Sequence, residues 1–140
     1  MVRDRNNIEA LRIYVFYLLA RENDPDLVIE KFDELLAALK ISEGKNSELF
    51  YNISKLFARY CGRREVILKK TQELLEMGIV LQPENASYLC ELGLQQGMQG
   101  DWNNAYATYQ QATALDESFL LPLYGMIYCR VKQDMLDDAQ

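Results

Sequence analysis

Laid against itself with a shift of 34 residues, this chain places apolar on apolar and small on small. Leu89 falls on Leu123, Leu92 on Met126, Trp102 on Leu136 and Ala105 on Ala139. The same shift sets Leu75 on Tyr109, Gly78 on Ala112, Leu81 on Leu115 and Thr71 on Ala105. A repeat of this length is one supersecondary unit that cannot bury its apolar face alone, so successive units must stack.

The hydrophobic spacing makes nearly everything helix. Ile8, Leu11, Val15 and Leu18 lie on one face of a first helix that stops by Asn23. Asp24 and Pro25 read as cap and first residue of a second helix, with Val28, Phe32, Leu35 and Leu39 on its inner face. "ISEGKNS" ends it, offering Gly44 for a left-handed turn and Asn46 or Ser47 as the next cap. A third helix carries Phe50, Ile53, Phe57 and Tyr60 and ends at Gly62; a fourth runs from Glu65 to before Gln82. Pro83 begins a fifth, which ends near Gln99, and Asp101 caps a sixth that ends near Leu115. Ser118 caps a seventh ending around Gln133, and Asp134 opens an eighth. Helices of about 13 to 16 residues with short turns have the proportions of antiparallel pairs.

In the stretch "ELGLQQGMQGDWNNAY", Gly93 and Ala105 are small because the two helices of one unit cross closely there. Gly100 serves the turn before Asp101. Gly97 lies on the exposed or groove side at a cost of about 1 kcal/mol in helix propensity, and the spacing gives it no packing reason. A phosphate-binding loop would need a preceding strand and a Lys-Ser/Thr, and neither is here.

With Leu89-x2-Leu92-Gly93, Gly100-Asp101-Trp102, Ala105-x3-Tyr109, Ala112 and Leu115-Asp116, the third unit resembles the tetratricopeptide repeat. Gln96 stands where that pattern has tyrosine, and Glu117 where it has proline. The resemblance implies an all-α solenoid of antiparallel helix pairs, about 3.5 repeats in a right-handed superhelix. The units fall at residues 8–40, 47–83, 85–117 and an incomplete 119–140, forming one segment of a longer solenoid. The structural positions are Leu92, Gly93, Gly100, Trp102, Ala105, Tyr109, Ala112 and Ala139. The match is specific over residues 65–140 and extends by continuity before them; the second unit needs extra residues near Arg63 and Arg64.

Composition narrows the chemistry. With 15 basic and 21 acidic residues the net charge is −6, so neither nucleic acid nor an anionic membrane is the expected partner. There is no histidine, the commonest general base and metal ligand. Cys61, Cys90 and Cys129 are too sparse and too far apart for a zinc site or a disulfide framework, and read as small buried hydrophobes. "IYVFYLLA" is too short to span a bilayer, which takes about 20 residues, and reads as a helix covered on more than two sides. The sequons Asn52-Ile53-Ser54 and Asn85-Ala86-Ser87 are chance matches in a chain without other signs of secretion. Carboxylates such as Glu30, Asp33 and Glu34 lie on polar helix faces with no convergent nucleophile, so no catalytic, cofactor or metal residue is expected.

In this repeat fold the first helix of each pair lines a concave groove. On the fifth helix the exposed positions are Ser87, Cys90, Leu94, Gly97 and Met98; on the seventh they are Leu121, Tyr124, Tyr128, Val131 and Lys132. Chaperone-tail-binding members carry lysines and asparagines there; these residues favour apolar contact with a protein segment or with neighbouring solenoid turns instead. Uncapped ends would also self-associate. The cluster Arg59, Arg63, Arg64, Lys69 and Lys70 reads as a solvated face.

Three longer stretches are similar in wording to the large tetratricopeptide-repeat subunits of intraflagellar transport complex A, the tetratricopeptide repeat protein 21 family. They are "RIYVFYLLARENDPDLVIEKFDELL", "LFARYCGRREVILKKTQELLEMGIVLQPEN" and "GLQQGMQGDWNNAYATYQQATALDESFLLPLYGMIYCR". That similarity implies a non-enzymatic scaffold that joins subunits or cargo in retrograde ciliary transport, in the cytoplasm, at the cilium and its base. A co-chaperone-type adaptor would need basic groove positions, and an accessory domain of a larger enzyme would need a catalytic motif elsewhere.

Overall fold

Local cap chemistry fixes where the helices of the computed structural model begin and end; residues 2–21, 24–61 and 64–138 are described. The order is α1 (Val2–Ala20), α2 (Pro25–Ser42), α3 (Ser47–Tyr60), α4 (Glu65–Leu81), α5 (Ala86–Met98), α6 (Trp102–Leu115) and α7 (Leu121–Asp138). Among the described residues there is no strand. Asp24 accepts the Asp26 N–H at 3.0 Å, with Pro25 as the first helical residue. Asn46 and Asn85 do the same for Leu49 and Tyr88, at 3.1 and 3.2 Å. Each supplies an acceptor for an N–H that the helix cannot pair internally.

Several turns differ from the sequence expectation. Among the described residues only Gly100 has a positive φ, +81°, so Gly44 makes no left-handed turn. Gly44 is small for another reason: a Cβ there would lie 2.8 Å from the Lys40 carbonyl oxygen. Pro83 sits in the turn before α5 while Asn85 caps it. Asp101 makes no capping hydrogen bond and instead accepts from Asn104 Nδ2 at 2.7 Å. Ser118 is no cap either, because α7 starts three residues later, with Pro122 in its first turn; its N–H and hydroxyl both donate to Asp116 Oδ1 in the turn before (3.1 and 2.6 Å). No eighth helix separates off at Asp134, since α7 continues to Asp138. The residue 34 positions after Gly100 is Asp134, so the repeat supplies no glycine for a turn there. The expected helix end at Gly62 and the structural position Ala139 lie outside the described residues.

The chain forms two compact units, Met1–Leu81 and Gln82–Gln140. In the first, α1 packs on α2 and α3 on α4, with further packing of α1 on α3 and α2 on α4. Its core holds Val28, Phe32, Leu35, Leu39, Phe57, Leu68, Leu74 and Leu75, all fully buried. Phe32 and Phe57 meet edge-on at 5.4 Å between centroids. Where α3 crosses α4, Ser54 Oγ donates to the Thr71 carbonyl at 2.6 Å, and Gly78 lets the Ser47 backbone approach.

In the second unit α6 packs against both α5 and α7, and α5 also touches α7. Its core cluster is Cys90, Ala105, Tyr109 and Cys129, with Trp102, Tyr106, Phe119 and Met126 packed against it. Burying Tyr109 nearly completely removes on the order of 200 Å² of mostly apolar surface from water, about 5 kcal/mol by area.

Candidate protein-contact surface

The small residues of the repeat pattern are the floor on which the surface is built. A Cβ on Gly93 would lie 2.7–2.9 Å from the Tyr109 ring, so the close approach of α5 and α6 is made to an aromatic face. A Cβ on Gly125 would lie 2.5–2.7 Å from the same ring. Tyr109 is therefore held between a glycine of α5 and a glycine of α7, which ties three helices together. Gly97 has its reason as well: a Cβ there would meet Trp102 Cζ3 at 3.0 Å. Ala105 and Ala112 are fully buried, Leu92 is half-buried, and Gly100 makes the turn.

Trp102, resting against Gly97, meets Tyr128 of α7 edge-on at 5.6 Å. Beside it the Arg130 guanidinium lies 4.5 Å from the Tyr106 ring, and Lys132 Nζ lies 5.4 Å from the Tyr128 ring. Such stacking covers aromatic surface with the cations' aliphatic stems.

Of the groove positions read from spacing, Leu94, Leu121, Tyr124, Tyr128 and Val131 are exposed, as is Ser87. Met98, Gly97 and Lys132 are half-buried. Cys90 is a correction: it is 7% exposed and belongs to the core cluster with Cys129 of α7. Burial pushes the Cys129 thiol up from its ordinary range, which keeps it protonated and unreactive.

Spacing missed Leu123, Ile127 and Met135 as surface residues, although all three are exposed. The repeat shift pairs Leu123 with buried Leu89, so the pattern marks both as apolar without telling which is covered. α1 is also less covered than expected. Ile8, Val15, Leu18 and Leu19 are buried, while Ile13, Tyr14 and Tyr17 are exposed, because α2 and α3 meet only one side of it.

The described members of the basic cluster are engaged locally. Arg64 Nε donates to the Cys61 carbonyl (2.9 Å), Lys69 pairs with Glu65 (3.3 Å), and Lys70 pairs with Asp33 of α2 (2.8 Å). The Asp33 hydrogen bond raises the Lys70 pKa above its ordinary value, burial opposes this, and the Asp33 and Glu73 charges add to it. Among the described residues no group of acids and cysteines could hold a metal ion, and no helix is long and apolar enough to cross a membrane.

A family model described as Tetratricopeptide repeat protein 21 second ARM domain matches residues 30–140. The chain belongs to the tetratricopeptide repeat protein 21 family. Armadillo and tetratricopeptide units alike stack short helices into solenoids, in keeping with the helix pairs above. Tetratricopeptide repeat protein 21B of Mus musculus is 38% identical over 139 residues, 99% of this chain and 11% of the relative. The Homo sapiens 21B protein matches at the same identity and coverage, and 21A of Mus musculus is 29% identical over 137 residues, 98% of this chain and 10% of its own. The chain thus spans about a tenth of the length of these members of the tetratricopeptide repeat protein 21 family.

Proposed function

We propose that this chain is a non-enzymatic scaffold segment that joins protein subunits or cargo of a multi-protein complex. The observation that carries the reading is the run of large apolar side chains left exposed on α7, with Leu94 exposed on α5 of the same unit. Contiguous exposed apolar surface of this kind marks protein contact sites. The family resemblance takes the reading further, to a part of an intraflagellar transport complex A subunit in retrograde transport, located at the cilium and its base. A peptide-tail adaptor fits less well: Lys132 is the single cation among the groove positions, and it lies over the Tyr128 ring.

The test is affinity capture with this chain from lysate of ciliated cells, read by mass spectrometry. Ala105→Leu, which overfills a fully buried position, serves as the folding control. Enrichment of intraflagellar transport subunits, lost in the variant, is the expected result. Chaperones alone, captured equally by both, would defeat the ciliary reading.

A further inference from the structure

In the first unit the charges are sorted by helix. α2 carries Asp26, Glu30, Asp33 and Glu34, and α4 carries Glu65, Glu73 and Glu76. The lysines among them are matched: Lys31 to Glu34 (3.3 Å), Lys40 to Glu73 (4.0 Å), Lys69 to Glu65 (3.3 Å) and Lys70 to Asp33 (2.8 Å). From Leu49 to Tyr60, by contrast, α3 has no carboxylate, and its charges are Lys55 and Arg59, both exposed. Among the described residues no acid pairs with Lys55, whose ammonium lies 5.6 Å from the Tyr51 ring. From Ala10 to Ala20, α1 has no carboxylate either, and it packs on α3. Beside the two cations runs an apolar row. Leu56 and Tyr60 stand one turn apart, 39% and 49% exposed although α1 and α4 both pack on α3. The Tyr60 ring meets half-buried Phe16 of α1 edge-on at 4.9 Å, which places the row at the α1–α3 seam.

We propose that this seam binds an extended acidic segment of a partner protein, with carboxylates at alternate positions and a large apolar residue beside them. The proposal rests on the scaffold reading and gives the chemistry of one partner. Two cations one helical turn apart have Cβ atoms roughly 6 Å from each other, close to the roughly 7 Å between alternate residues of an extended chain. The apolar residue rests on Leu56 and the Phe16–Tyr60 pair. Charge selects the occupant: a segment rich in carboxylates is attracted to α3 and repelled by α2 and α4. Two cations are too few to hold a nucleic-acid backbone, whose binding neutralises several phosphates.

Selection by the chain from a bead-bound library of random peptides tests this. Enriched peptides should hold Asp or Glu at alternate positions beside Leu, Phe or Trp. Lys55→Glu with Arg59→Gln should weaken them by on the order of tenfold, while Lys69→Glu on α4 leaves them unchanged. Circular dichroism verifies that each variant keeps its helix content. A second measurement needs no variant: raising the ionic strength from about 0.05 to about 0.5 M should weaken the same peptides about tenfold. Enrichment of neutral or basic peptides, or acidic peptides indifferent to either the double variant or salt, overturns the site. RNA or anionic vesicles held more tightly than the peptides overturn it as well. A site that fails while the chain still captures transport subunits rejects the acidic segment and leaves the scaffold standing; acidic peptides enriched without that capture keep the site and reject the ciliary reading.

Discussion

In residues 1–81 the α3–α4 crossing is bridged by one serine hydroxyl bonded to a backbone carbonyl, and in residues 82–140 the α5–α6–α7 crossing is closed by a phenol ring lying between two glycines. The first unit fills its interior with Phe32, Phe50, Phe57 and a set of leucines, so its stability resides in side-chain volume. In the second, the central cluster sets Cys90, Ala105 and Cys129 around the Tyr109 ring, and its packing depends on how closely the backbones approach. Removing volume should therefore hurt the first unit most, and adding volume the second.

The sharpest test is Phe57→Ala. It empties a fully buried site and ends the edge contact with Phe32, at an expected cost of about 3–5 kcal/mol. Urea unfolding followed by circular dichroism reads it; a loss below about 1 kcal/mol would mean that the unit collapses around the gap, against a volume-based core.

Adding volume in the second unit should have a smaller cost and a diagnostic sign. Gly125→Ala gains about 1 kcal/mol of helix propensity, yet its methyl would lie 2.5 Å from Tyr109 Cζ. The ring cannot retreat freely, because Gly93 faces it from α5. A net loss of about 1–2 kcal/mol is expected. In a Tyr109→Leu background the same substitution should turn stabilising, by up to about 1 kcal/mol. Equal effects in the two backgrounds would show that the ring is not the obstacle.

How much of this the sequence reveals follows from the same contrast. Ala105 and Ala112 are legible because small residues recur at the repeat spacing, and Gly93 because it stands at the glycine of the repeat pattern. Gly125 and the reason for Gly97 are not, since each is set by a ring arriving from another helix, Tyr109 and Trp102, and periodicity within a helix carries no such distance. Cys90 was misplaced for a related reason: its spacing puts it on the groove side, but it shares a core cluster with Cys129 of α7. Cap residues Asp24 and Asn46 read correctly because their chemistry is local. Ser118 does not cap because the turn it makes with Asp116 delays the helix to Leu121, three residues on.

A weaker effect separates the two crossings. Ser54→Ala removes the 2.6 Å hydrogen bond to the Thr71 carbonyl at a fully buried site, and should cost about 1 kcal/mol. The comparable change at the other crossing, Tyr109→Phe, leaves the ring between its glycines and should cost less than Gly125→Ala. If Ser54→Ala is neutral, the hydroxyl closes nothing and the first crossing is held by volume alone.

The smallest effect is the one tied to pH. Lys70 and Asp33 join α4 to α2 in the first unit, and no described ion pair joins helices in the second. Because the folded-state pKa of Lys70 is raised, its contribution is fully present below the unfolded value of about 10.4 and is lost as pH rises through the higher folded value. Asp33→Asn should therefore lower stability at neutral pH by about 0.5 kcal/mol, discounted for a carboxylate that is half exposed. The difference between wild type and variant should shrink once the pH passes the folded pKa of Lys70, and should fall with added salt. A difference that persists there would assign the loss to packing of the Asp33 side chain and leave the ion pair without a part in joining α2 to α4.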